Sequence, residues 1–131
     1  MRGVYLDYAA TTPLDPEVRE AMRAVEEVFG NPSSIHRFGQ EARKVLEEAR
    51  ERVAEALGAR PREVVFTAGG SEADALALLG PALARGRGHV VSTAVEHAAV
   101  LGALRLLERL GFSVTLLKPD SLGMVYPEQV E

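Results

Sequence analysis

Val18, Met22, Val25 and Phe29 recur at three- and four-residue intervals behind Asp15-Pro16-Glu17, a pattern that predicts an amphipathic helix. Asp15 offers an acceptor to the free first-turn amides, Pro16 sits where a missing N–H costs nothing, and Gly30 supplies a left-handed stop. A longer apolar stripe follows: Ala42, Val45, Leu46, Ala49, Val53, Ala56 and Leu57, predicting a helix over 39–57 with Gly58 past its end. The opposite face carries Glu41, Arg43, Lys44, Glu47, Glu48, Arg50, Glu51 and Arg52. It reads as a solvated face laced by i,i+4 ion pairs, with a docking surface as the alternative.

Beyond Pro61 the period changes. Glu63 to Thr67, His89 to Thr93 and Phe112 to Leu117 are short apolar runs that predict strands. Helical patterns over 71–84 and 95–110 lie between them, and Val4 to Tyr8 predicts a further strand near the start. Strands alternating with helices imply crossover connections and a parallel sheet, hence an α/β fold. No repeat, low-complexity tract or linker interrupts the chain, which reads as one compact unit. Tyr126-Pro127-Glu128 begins another helical pattern with four residues left after the proline, so the chain is expected to stop inside an element.

Composition sets limits on chemistry. The 131 residues are 47% hydrophobic and 26% charged, with a net charge of −4, which argues against disorder and against a nucleic-acid partner. No uncharged run approaches the ~20 residues of a membrane helix, and the alternation after Arg2 is unlike a secretory signal. Cysteine is absent, which excludes disulfides, thiolate metal sites and a cysteine nucleophile from these residues. Lys44 and Lys118 are the two lysines.

In open α/β sheets ligands bind beyond the carboxyl ends of the strands. Two predicted loops occupy that position. In Ala68-Gly69-Gly70-Ser71-Glu72, two glycines permit close backbone approach, and the following helix offers free N–H groups and a positive dipole end. That combination suits a phosphate, unless Ser71 merely caps the helix. The second loop holds Glu96-His97, where the imidazole is placed to stack on a ring or transfer a proton, or is a surface residue of a helix start. His89 reads as structural, His36 is ambiguous, and Asp74 is accounted for by the helix dipole. No His, Asp and Glu show metal-ligand spacing, so no metal is expected.

Four ordered segments together resemble the cysteine desulfurases, pyridoxal-phosphate enzymes of the class-V aminotransferase family. Tyr5-Leu6-Asp7-Tyr8-Ala9-Ala10-Thr11-Thr12-Pro13 is similar to the family's opening, and Gly30-Asn31-Pro32-Ser33-Ser34-Ile35-His36-Arg37-Phe38-Gly39 to its N-P-S-S-x-H-x-x-G signature. Phe66-Thr67-Ala68-Gly69-Gly70-Ser71-Glu72 resembles its phosphate loop, and Glu96-His97-Ala98-Ala99-Val100 its E-H-x-A-V segment. The resemblance implies that Gly70 and Ser71 hold the phosphate of pyridoxal phosphate and that His97 stacks on its pyridine ring. It implies that Ala10, Thr11, Asn31 and His36 border the substrate entrance, in a region that also forms a dimer contact.

Three departures qualify it. Ala75 stands where the family commonly has Asn, Gly70 replaces an alanine, and the sequence corresponds to about the first third of the family's length. The family's cofactor-binding lysine, its acid facing the pyridine nitrogen and its persulfide cysteine belong to the other two-thirds. Lys118 lacks the family's S-G-H-K context and Lys44 lies on a charged face.

The expected architecture is therefore the incomplete large domain of a fold type I enzyme. Residues 1–14 would contribute to the small domain and 15–131 begin the pyridoxal-phosphate domain. The expected activity is transfer of sulfur from L-cysteine, in a cytoplasmic homodimer, completed by a complementary C-terminal segment or chain. The alternatives are a non-catalytic interaction subunit of the same fold, or part of another class-V enzyme such as an aminotransferase or selenocysteine lyase.

Overall fold

The computed structural model describes residues 3–130. Arg2, used in the leader reading, and Glu131, the last residue of the unfinished element, lie outside them. The elements are α1 (Pro16–Glu26), α2 (Arg37–Leu57), α3 (Gly70–Arg85), β1 (His89–Thr93), α4 (Ala98–Arg109) and β2 (Ser113–Leu117), with 3-10 turns at Pro61–Glu63 and Pro127–Gln129. The chain divides between Val65 and Phe66 into two compact units, where the sequence pattern predicted one.

In the first unit α1 begins as expected, the Asp15 carboxylate accepting the Glu17 amide at 2.8 Å, but it ends at Glu26 with Glu27 as C-cap, and Gly30 takes no positive φ and is not the left-handed stop. None of its residues is buried, and the predicted inward stripe is bare: Val18, Met22, Val25 and Phe29 are all exposed. Within α2 only Gly39 and Ala54 are buried. Ala54 lies outside the predicted stripe, and the helix end explains its position. The Ala59 amide donates to the Ala54 carbonyl at 2.8 Å and the Gly58 amide to Glu55 at 3.1 Å, a Schellman closure that folds the chain back over Ala54. The charged face carries an expected i,i+4 ion pair, Lys44–Glu48, and Arg37, in a turn that precedes the predicted start, adds one to Glu41. Arg50 differs: it is half-buried and donates from Nη1 to the Val64 carbonyl at 2.6 Å.

The second unit is a parallel pair, β1 beside β2 in the register His89↔Ser113 to Thr93↔Leu117, with α4 as the crossover and α3 packed on α4. Its core is Ala103, Leu104 and Leu107 of α4 with Phe112. A second Schellman closure builds it. The Phe112 amide reaches the Leu107 carbonyl and Gly111 that of Glu108, both at 3.0 Å, while Gly111 takes a φ of 90° open to glycine at little cost. Leu107, fully buried, and Phe112 are the two ends of this closure and both belong to the core.

Two predicted strands are not formed. Val4 to Tyr8 turns instead: the Asp7 carbonyl accepts the Ala10 and Thr11 amides, and the Tyr5 hydroxyl donates to that carbonyl at 2.8 Å with the Thr11 carbonyl as alternative acceptor. Local bonds there replace a ladder. Residues 63–67 leave a 3-10 turn extended at Val64 (φ −93°, ψ 124°) yet stay outside the two-stranded sheet. An apolar run has strand conformation by steric preference but becomes a strand only when a neighbour supplies the hydrogen bonds.

Candidate functional site

The loop Thr67 to Glu72 enters α3 without a side-chain cap. Gly69 is the N-cap, and Ser71 lies two positions beyond it, inside the helix. The capping alternative for Ser71 is thereby removed, and the amides of Gly70 and Ser71 meet no acceptor among the described residues. Glu72 completes the arrangement from the other side. Its Oε2 accepts the amide of Ala68, the residue before the N-cap, at 2.7 Å, while the Thr67 hydroxyl donates to the Gly69 carbonyl at 3.1 Å. The loop is therefore shaped by its own side chains, with its central amides left open. A Cβ built on Gly69 or Gly70 meets nothing within 4 Å, so an anion can approach the backbone directly. Free amides, a helix dipole and an exposed hydroxyl match the needs of a phosphate.

His97 is the N-cap of α4, which begins at Ala98 and not, as the pattern predicted, at Val95. Its Nδ1 accepts the Ala99 amide at 3.2 Å, and the ring is exposed. The preceding segment is held by Thr93, whose hydroxyl donates to Glu96 Oε1 at 2.8 Å. Gly70 and Ser71 thus stand on one helix and His97 at the head of the helix packed against it.

Ala10, Thr11, Asn31 and His36 lie in the other unit. Ala10 and Thr11 form the Asp7 turn. Asn31 Oδ1 accepts the Ser33 amide at 2.9 Å and its carbonyl accepts Ser34, while His36 caps α2 by accepting the Gly39 amide at Nδ1, 3.3 Å away. Gly39 is the keystone of this loop: a Cβ there meets the Ser34 carbonyl oxygen, Ser34 Cβ at 2.6 Å and the Asn31 carbonyl oxygen at 2.7 Å.

Lys44 is tied to Glu48 on α2 and Lys118 is exposed just past β2. Asp74 is half-buried in α3, and His89 bonds Thr115 Oγ1 through Nε2 at 2.8 Å, across β1 and β2. Among the described residues no three His, Asp or Glu gather as metal ligands, and no helix is long and apolar enough to cross a membrane. A hollow of ≈ 190 Å³ lined by Leu78, Pro81, Arg85, Arg87, His89 and Phe112 lies at the amino end of β1, away from both helix starts.

Sequence reasoning missed the supporting bonds of Thr93 and Glu72. Thr93-x-x-Glu96 is a capping-box spacing immediately before a helix, a signal that was available. The Arg50 tether had none, because a charged helix face reads as solvated throughout.

The chain matches the family model described as aminotransferase class-V over residues 4–131. It is 51% identical to a protein named cysteine desulfurase IscS from Dictyoglomus turgidum, over 99% of this chain and 34% of that protein. It is 49% identical to a putative cysteine desulfurase IscS 1 from Bacillus subtilis, over 100% of this chain and 35% of the relative. The chain therefore spans about a third of the length of the curated relatives it matches. Among solved structures it is similar to one described as SspA in complex with cysteine, with a TM-score of 0.87 and 41% identity over 96% of this chain and 37% of that one. A NifS-like protein gives a TM-score of 0.85 and 37% identity over 97% of this chain and 36% of that one.

Proposed function

The chain belongs to the class-V aminotransferase family, and from that premise we propose that it is the amino-terminal, phosphate-binding part of a cysteine desulfurase. The family depends in general on pyridoxal phosphate, which when bound supplies an electron sink for chemistry at the substrate α-carbon. The observation that carries the reading is the uncapped first turn of α3, where the Gly70 and Ser71 amides and the Ser71 hydroxyl are free to hold a phosphate. His97 would lay its exposed ring against the pyridine. Ala10, Thr11, Asn31 and His36 would border the entrance for L-cysteine. A lysine and a cysteine for the remaining steps would come from a complementary segment, the completed enzyme being a cytoplasmic homodimer. Residues 1–14 would join its small domain and 15–131 open its large one.

The test is to combine this chain with a polypeptide spanning the other two-thirds of the family's length and to measure cofactor retention and sulfide release from L-cysteine. Retention and release are expected, and Ser71→Ala should weaken cofactor binding about tenfold or more through loss of a bond to a charged group. An assembly that folds yet neither retains cofactor nor releases sulfide overturns the reading.

A second reading, a non-catalytic interaction subunit of the same fold, is favoured by the engagement of Lys44 with Glu48. Borohydride reduction of this chain with pyridoxal phosphate, followed by peptide mass spectrometry, tests it. A stoichiometric adduct on Lys118 or Lys44 would count against it.

A further inference from the structure

The second unit carries its hollow of ≈ 190 Å³ at the end of α3 opposite the Gly70 turn, about 22 Å away at a rise of about 1.5 Å per residue. Its floor is apolar, formed by Leu78, Pro81, Val90 and the buried Phe112, and its rim carries Arg85 and Arg87. Neither arginine makes an ion pair among the described residues, and no acidic side chain lines the hollow, although the chain as a whole has a net charge of −4. The connection from α3 to β1 adds donors. The Gly86 amide closes the helix onto the Ala82 and Leu83 carbonyls at 3.0 and 3.1 Å, and the Gly88 carbonyl accepts the Ser113 amide at 3.1 Å. The amides of Arg87 and Gly88 meet no acceptor among the described residues.

We propose that this hollow is a binding site for a small organic monocarboxylate with an apolar body and no ammonium group. It is separate from the Gly70–Ser71 turn and does not rest on the function proposed for that turn. A guanidinium is a planar fork whose paired N–H groups match a carboxylate, and two of them stand on one rim without partners. The carboxyl-terminal end of α3 opposes an anion with about half a negative charge, which two full positive charges exceed. An inorganic anion is held by the rim alone, because Leu78, Pro81, Val90 and Phe112 offer it nothing, whereas an aliphatic body gains by leaving water against that floor. The hollow is smaller than the ~300–1,000 Å³ of ordinary ligand pockets, which limits the occupant to a short chain. An α-amino acid is disfavoured, since its ammonium would stand among guanidinium groups with no carboxylate to receive it. That excludes L-cysteine and alanine, and makes the site chemically distinct from the one proposed for substrate.

The probe is 4-methylpentanoate, titrated against the chain by saturation-transfer NMR, which observes the small molecule and so tolerates self-association of the protein. Three matched compounds accompany it: 4-methylpentanamide has the same body without the charge, L-leucine the same body with an added ammonium, and acetate the charge without the body. Saturable binding of 4-methylpentanoate is expected in the millimolar range or below, with the other three weaker by about tenfold or more. Arg85→Gln and Arg87→Gln should each weaken it about tenfold through loss of a charge-assisted bond. Arg105→Gln, on α4 and outside the hollow, should leave it unchanged, and circular dichroism checks that each variant keeps its fold. Equal binding of acetate would mean charge attraction alone, equal binding of the amide an apolar surface alone, and equal binding of L-leucine a site that does not exclude ammonium. Each of these overturns the proposal, as does the absence of saturable binding or full affinity retained in both Arg85→Gln and Arg87→Gln. No cofactor takes part in the measurement, so failure of this proposal and failure of the proposed function are separable.

Discussion

Gly39→Ala opposes two effects whose magnitudes differ enough to decide the sign. Gly39 is in the first turn of α2, where propensity alone favours alanine by about 0.5–1 kcal/mol. The added Cβ, however, would lie 2.7 Å from the Asn31 carbonyl oxygen and 2.6 Å from Ser34 Cβ, and closer still to the Ser34 carbonyl oxygen. Two of these neighbours are backbone atoms, which cannot rotate away as the end of a flexible side chain would. Relief requires the Asn31–Ser34 turn to open, with loss of the His36–Gly39 cap. Overpacking of this kind costs about 1–3 kcal/mol and a lost cap about another 1, so the net effect is destabilising by roughly 1–3 kcal/mol. Gly102→Ala is the internal comparison. It changes the same residue type inside α4, where the nearest atom to a new Cβ is Arg105 Nη2 at 3.9 Å, so the propensity gain of about 0.5–1 kcal/mol should appear undiminished. Urea denaturation followed by circular dichroism at 222 nm measures both, and hydrogen exchange locates the loss in the 31–40 loop. A Gly39→Ala chain as stable as the unsubstituted one would refute the steric reasoning.

Leu107→Ala should cost about 2–5 kcal/mol and release the second unit in thermal melts, because Leu107 is fully buried at the centre of that unit's small core. The Asp120 carboxylate accepts the Leu122 and Met124 amides and the Tyr126 hydroxyl, which holds Asp120 below the usual carboxylate range and pushes the Tyr126 phenol up. Stability from Asp120 is present above its unfolded pKa and lost as pH falls below about 4; that from Tyr126 is present below about 10 and lost above. Amide exchange at Leu122 and Met124 should accelerate at both ends of that window, and Asp120→Asn should abolish the acid limb. The chain exposes 10904 Å², whereas even two separate compact bodies of about 7 kDa would expose about 8,100 Å². The excess is of the size that obligate interfaces bury, so the chain alone should self-associate and bind a hydrophobic dye; a monodisperse monomer by light scattering would contradict this.

Much of the local structure was legible. Gly58, the Asp15-Pro16 entry of α1, β1 to the residue and the parallel α/β character all followed from short-range rules, as did the two helix starts proposed to hold a phosphate and a ring. These features depend on steric preference and on bonds between residues a few positions apart, which the order of amino acids alone determines. Tertiary structure decided the rest. It kept 63–67 out of the sheet, left the stripe of α1 bare, and turned Arg50 inward to the Val64 carbonyl. The physical reason is common to all of these. Apolar periodicity states that a face or a strand would be stable if covered or paired, but burial and ladder bonds exist only where another part of the molecule supplies the partner.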